Sequence, residues 1–166
     1  MDARLLACAT AAGVFLLDRL TKWLIESRVS AWETIVVIPG FFNIIHTRNP
    51  GAAFSLLAGA SPALRKWLLV TLSLAAVALV AGMLWKPAAV SPGHGRGARF
   101  GLSLVLGGAL GNLYDRLLTG AVTDFLEFYL GQFRWPAFNV ADSAITIGVA
   151  LVLLDLWRSR QAPQRT

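Results

Sequence analysis

The chain has 166 residues, 56% of them hydrophobic and only 14% charged, with a mean hydropathy of +0.62 and a formal net charge of +6. Soluble domains carry about 25% charged residues, so this composition lacks the side chains to cover a water-facing globule and points to a membrane protein. It excludes a disordered chain, a collagen-like chain and, with Cys8 as the sole cysteine, a disulfide scaffold.

Taken in chain order, the first apolar run extends from Leu5 to Ile25, close to the roughly 20 residues that cross a hydrocarbon core. Leu5-Leu6-Ala7-Cys8 looks like a lipoprotein cleavage box, but no apolar stretch precedes it and further runs follow, so the segment is read as a retained span. A β-rich segment covers about 32–58. Within it Thr34 to Ile38 and Phe41 to Thr47, separated by Pro39-Gly40, predict a hairpin. The Phe41-Phe42 pair could pack that hairpin, dip into lipid or cover a site. The second run, Trp67 to Trp85, carries no charge. A linker at 86–99 holds Pro87, Pro92, Gly93, Gly95 and Gly97, with nothing catalytic in it, His94 included. The third run is Phe100 to Leu118, a second strand pair is expected around Gly131-Gln132, and the fourth run is Phe138 to Trp157.

These runs predict a single membrane all-α domain over 1–166, with four transmembrane helices and a small periplasmic β element. Both termini and the 86–99 linker then share one side. That side carries seven basic residues (Arg4, Lys86, Arg96, Arg99, Arg158, Arg160, Arg165) against Asp2 and Asp155, a net +5 of the total +6. The positive-inside rule places both termini in the cytoplasm, so the basic balance reports topology and not a nucleic-acid partner. Trp23, Trp67 and Trp135 fall at outer span ends, and Trp85 and Trp157 at inner ends, as an aromatic belt would.

Charged residues inside such runs are costly and mark function. At 1.5 Å per residue, Asp18, Asp115 and Asp142 all fall in the outer third of the membrane, and Asp124 can return to that level. Asp18 and Lys22 are spaced i, i+4 and predict a structural polar pair; Asn112, Asp115 and Arg116 sit at i, i+3 and i+4, and Asp115 with Arg116 reads as a structural ion pair. Asp124 and Asp142 have no basic residue within four positions. Asn139, three before Asp142, could orient it or cap the fourth helix. Two carboxylates without cationic neighbours suit aspartyl hydrolysis, one ionised to activate water and one protonated to polarise a carbonyl. A proton-coupled transporter would use buried carboxylates as readily, a non-catalytic membrane adaptor would not need them, and a dyad of Ser143 or Ser55 with Lys22 is a further alternative. With no HExxH and with His46 and His94 on opposite sides, no metal site is expected.

Five blocks carry a resemblance: Asp18-Arg19-Leu20-Thr21-Lys22; Arg48-Asn49-Pro50-Gly51-Ala52-Ala53-Phe54-Ser55; Gly107 to Arg116 with Asn112, Tyr114 and Asp115; Gly120-Ala121-Val122-Thr123-Asp124-Phe125; and Phe138-Asn139-Val140-Ala141-Asp142-Ser143. In order and spacing they resemble the bacterial lipoprotein signal peptidase family, signal peptidase II, with Thr123 standing where an aliphatic residue is common. The resemblance implies an intramembrane aspartyl endopeptidase of the bacterial cytoplasmic (inner) membrane. Its active site would face the periplasm, and it would remove the signal peptide of prolipoproteins before a diacylglyceryl-modified cysteine. It maps the dyad onto Asp124 and Asp142, and implies that Asn49, Gly51, Asn112, Asp115, Arg116 and Asn139 hold the substrate or support the dyad. No cofactor, nucleic acid or obligate protein partner is expected beyond membrane lipid and substrate. Asn49-Pro50-Gly51 also reads as turn chemistry on its own.

Overall fold

The computed structural model describes residues 2–51, 61–85 and 96–161. Most of the 86–99 linker, the C-terminal arginine at 165 and Ser55 therefore lie outside the described residues. Four long helices form: α1 (Ala3–Arg28), α2 (Pro62–Trp85), α3 (Arg96–Thr119) and α4 (Val140–Gln161). Four strands accompany them: β1 (Thr34–Ile38), β2 (Phe42–Asn49), β3 (Val122–Leu130) and β4 (Phe133–Arg134).

Local chemistry sets the helix ends. Asp2 caps α1 by accepting from the Arg4 amide at 3.1 Å. Ser61 precedes Pro62 at the start of α2, and its hydroxyl accepts from the Leu64 amide at 3.3 Å, so a serine cap is followed by a proline whose missing N–H costs nothing there. Gly120, at φ +77°, closes α3 with its amide bonded to the Arg116 carbonyl. The helices outrun the apolar stretches at most ends, because flanking polar residues continue the turn. The exception is α4, which starts at Val140 and not at Phe138: the Phe138 carbonyl accepts from the amides of Phe125 and Leu126, which holds Phe138 against β3.

Helix α3 is central and packs against the other three, with buried residues on all its faces, among them Leu102, Leu106, Asn112 and Asp115. Glycines permit the approach. A Cβ on Gly111 would meet the Asp18 carboxylate of α1 at 2.5 Å, so the α1–α3 contact needs a glycine where the polar residues meet. Helices α2 and α4 are long and apolar enough to cross a membrane. Most of their apolar side chains, among them Leu72, Leu74, Leu79, Ile147 and Leu153, face outward, as lipid-facing surfaces do, while Leu69 and Leu84 are buried. The apolar runs of α1 and α3 are interrupted by Asp18, Arg19 and Lys22, and by Asp115 and Arg116.

The sheet is antiparallel in the order β1-β2-β3-β4. Both predicted hairpins form, β1 with β2 and β3 with β4, and β2 also pairs with β3 in a register that sets Thr47 opposite Asp124 and Asn49 opposite Val122. Phe41 and Phe42 pack the sheet: Phe42 stacks on Phe128 at 4.7 Å between centroids and Phe41 meets it edge-on at 5.3 Å.

Candidate active site

The β2–β3 pairing, the C-terminal half of α3 and the first turn of α4 meet where the polar residues of the sequence converge. Asn139 is the N-cap of α4. Its Oδ1 accepts from the Asp142 amide at 3.0 Å, and Asp142 Oδ2 accepts from the Asn139 amide at 3.3 Å, a reciprocal cap that fixes the Asp142 rotamer. Capping and orientation are thus the same interaction. The Asn139 side-chain amide reaches in the other direction and donates to Asp124 Oδ1 at 2.7 Å. Asn49, at the end of β2, donates to Asp124 Oδ2 at 3.0 Å, and Asn112 on α3 donates to Asp142 Oδ1 at 2.7 Å. Every oxygen of the two carboxylates therefore accepts an amide hydrogen bond, and Asn139 touches both groups.

Asn49 also makes a turn. Its Oδ1 accepts from the Gly51 amide at 2.9 Å, with Gly51 at φ +93°, and a Cβ there would collide with the Leu69 side chain of α2. The turn and the contact to Asp124 are made by one side chain, so the two readings of Asn49-Pro50-Gly51 coexist.

Beneath the carboxylates lies a buried ionic cluster. Lys22 is fully buried, and its ammonium donates to Asn112 Oδ1 at 3.0 Å and forms ion pairs with Asp18 Oδ2 at 2.9 Å and Asp115 Oδ2 at 2.8 Å. Asp18, also fully buried, uses Oδ1 to accept from the Ala141 amide at 3.0 Å, meeting a second orphan donor of the α4 N-terminus. Asp115 pairs in addition with Arg19, whose guanidinium lies 4.5 Å from the centre of the Tyr114 ring. The expected ion pair of Asp115 with Arg116 does not form. Neighbouring residues on a helix diverge by about 100°, so Asp115 turns to α1 while Arg116 turns to α2, where its guanidinium donates to Ser73 Oγ at 3.4 Å. Arg116 and Asp142 instead line one cavity of about 260 Å³, floored by Leu69, Leu72 and Ile145. A cation thus faces Asp142 across space although none is near it in sequence.

Asp124 opens on a separate cavity of about 370 Å³ with Thr47, Asn49, Pro50 and Pro136. Asp124 is 2% exposed, and burial raises its carboxyl from the ordinary 3.8 to about 6. The negative Asp142 adds to the rise, while the Asn49 and Asn139 hydrogen bonds and the Lys22 charge oppose it. Of the serine–lysine alternative, Ser55 lies outside the described residues, Lys22 is paired with Asp18 and Asp115, and the Ser143 hydroxyl donates to the Asn139 carbonyl at 2.9 Å.

All ten sequence-predicted residues belong to this constellation: Asp124, Asp142, Asn49, Asn112 and Asn139 bond directly to one another, Gly51 holds Asn49, Asp18, Lys22 and Asp115 form the base, and Arg116 shares the Asp142 cavity. The sequence reading missed Arg19, although its position next to Asp18 in the first helix was a usable signal, and it missed Glu26 and Thr123, which are joined by a hydrogen bond between α1 and β3.

Comparison with known proteins adds identity to this geometry. The family model described as signal peptidase (SPase) II matches residues 10–158. A lipoprotein signal peptidase of Solibacter usitatus is 48% identical over 160 residues, covering 96% of this chain and 95% of that protein. One of Desulforapulum autotrophicum is 47% identical over 144 residues, covering 87% and 86%. Among solved structures, a bacterial membrane enzyme determined by the in meso method at 2.3 Å superposes with a TM-score of 0.80 at 30% identity, over 96% of this chain and 92% of the other.

Proposed function

The chain belongs to the signal peptidase II family, peptidases that remove signal peptides from prolipoproteins, and from that premise we propose that it is an intramembrane aspartyl endopeptidase in which Asp124 and Asp142 act together. The transporter alternative has no support among these relatives. The observation that carries the aspartyl reading is Asn139, which hydrogen-bonds Asp124 through its side chain and Asp142 through its backbone.

In this reading the two carboxylates flank the scissile peptide bond and hold one proton between them, because adjacent buried anions repel. Asp124, raised to about 6, is the member assigned the proton, in a fraction of molecules that falls as the pH rises past that value. Asp142 is the base, placed at the positive end of the α4 dipole with the Asn112 amide on one oxygen and Arg116 in its cavity. Asp142 takes a proton from water as the water oxygen attacks the scissile carbonyl carbon, and Asp124 donates its proton to the carbonyl oxygen. When the tetrahedral intermediate collapses, the C–N bond breaks and the proton on Asp142 passes to the departing amine, while the hydroxyl returns its proton to Asp124. Asn112 and Asn139 keep both groups in register, and Asn49, Gly51, Asp115 and Arg116 support the dyad or the substrate.

The same proposal extends to placement. Residues 1–166 form one domain with four spans in the bacterial inner membrane, both termini are cytoplasmic, and the sheet and dyad face the periplasm, as the charge distribution supports. The substrate is a prolipoprotein whose cysteine carries diacylglycerol, a lipid anchor that delivers the bond before the cysteine to the outer membrane surface, and membrane lipid is its surrounding. The test is purified protein in detergent incubated with lipidated and unlipidated preprolipoprotein and read as a mass shift. Cleavage of the lipidated form alone is expected, and equal cleavage of both overturns the substrate assignment.

A further inference from the structure

Helix α1 touches both halves of the site. Asp18 accepts from the Ala141 amide at 3.0 Å and so holds the first turn of α4, the turn that carries Asp142. Eight residues further along, about 12 Å at 1.5 Å per residue, Glu26 Oε1 accepts from the Thr123 hydroxyl at 2.6 Å. Thr123 is 3% exposed and directly precedes Asp124. Its carbonyl oxygen lies 3.3 Å from the Asn139 side-chain amide, the same amide that donates to Asp124. Glu26 lies near the C-terminal end of α1, where the helix dipole disfavours a carboxylate, so the position is not explained by helix stability. A second bond ties the neighbouring strand to the same helix end: His46 Nδ1 on β2 lies 2.8 Å from the Val29 carbonyl at the α1 C-cap.

We propose that Glu26 and Thr123 are positioning residues that set the distance between Asp124 and Asp142, with α1 as the common frame. Asp18 fixes one end of that distance by holding α4, and the Glu26–Thr123 bond fixes the other by holding the start of β3. The proposal rests on the aspartyl reading above. Loss of the bond frees the start of β3 to shift by a fraction of an ångström, which slows proton transfer without removing any group that binds the lipidated substrate. Misplacements of that order cost about tenfold or more in rate.

The test is steady-state cleavage of lipidated preprolipoprotein by the full chain in detergent, with thermal unfolding measured alongside. Thr123→Val keeps the shape and removes the hydroxyl; kcat should fall about tenfold while KM stays within about twofold. Thr123→Ser should recover most of that loss. Glu26→Ala, at an exposed residue, should lower kcat to the same degree, Glu26→Gln should recover it by keeping an acceptor, and Thr123→Val combined with Glu26→Ala should lose no more than either alone. Wild-type kcat in Thr123→Val, losses that add in the double variant, or a fall in stability with unchanged kcat would each overturn the proposal. An inactive Asp124→Asn together with a fully active Thr123→Val would refute the positioning role and leave the aspartyl reading intact.

Discussion

Replacing Asp124 by asparagine should make the folded protein more stable at neutral and alkaline pH. The carboxyl is buried and titrates near 6 in place of 3.8, a rise of about two units. Each unit is about 1.4 kcal/mol, so holding this group ionised costs the fold about 3 kcal/mol. Because the folded-state value is raised, the folded protein binds more protons than the unfolded chain between 3.8 and 6. The cost is therefore absent below 3.8, grows between 3.8 and 6, and is complete above 6. Asparagine removes the charge but offers only one acceptor oxygen to the two amides of Asn49 and Asn139, and losing one such bond returns about 1–2 kcal/mol. The net gain at pH 8 is about 1–2 kcal/mol, or a few degrees in Tm. At pH 4 most of the gain is gone and the lost hydrogen bond remains, so the difference closes or reverses. Tryptophan fluorescence during thermal unfolding in detergent, at pH 4 and pH 8, measures this directly. A variant less stable than wild type at pH 8, or a difference that does not change with pH, would refute the reasoning.

Other consequences are equally open to measurement. Lys22→Met leaves Asp18 and Asp115 buried without their shared cation and should cost about 3–5 kcal/mol, seen as a large fall in Tm, whereas a small fall would mean the cluster is not a stabilising base. Gly51→Ala must adopt φ +93° and displace Leu69, so both Tm and cleavage rate should drop, and an unaffected variant would show that the Asn49 turn is not needed to hold Asp124. Reporter fusions at Arg96 and after Gln161 should read cytoplasm and one at Trp32 periplasm; an Arg96 fusion reading periplasm would break the four-span topology.

Much of this site was legible in the sequence because membrane burial is expensive. A carboxylate inside an apolar run advertises itself, and Asp18, Asp115 and Asp142 were found on that ground alone. The i, i+4 spacing gave the Asp18–Lys22 pair, observed at 2.9 Å. What could not be read was partnership over long separations. The β2–β3 register joins residues about 75 apart, and no local pattern encodes that Asn49 would reach Asp124. The Asp115–Arg116 pairing went wrong for a local reason: adjacency in sequence is divergence on a helix, and Asp115 took Arg19 and Lys22 from α1 instead. Turn chemistry at Asn49-Pro50-Gly51 and capping at Asn139 were both recognised, yet neither sequence signal tells that the residue making the turn or cap also holds a carboxylate.

The central claim, that Asp124 and Asp142 together perform the hydrolysis, meets its most direct test in the turnover of lipidated preprolipoprotein by Asp124→Asn and Asp142→Asn, with substrate binding measured on the same preparations. Asparagine keeps the shape of each side chain but neither accepts a proton from water nor donates one as an acid. The account predicts that both variants fold and bind substrate and that neither turns it over. Substantial cleavage by either one would contradict it.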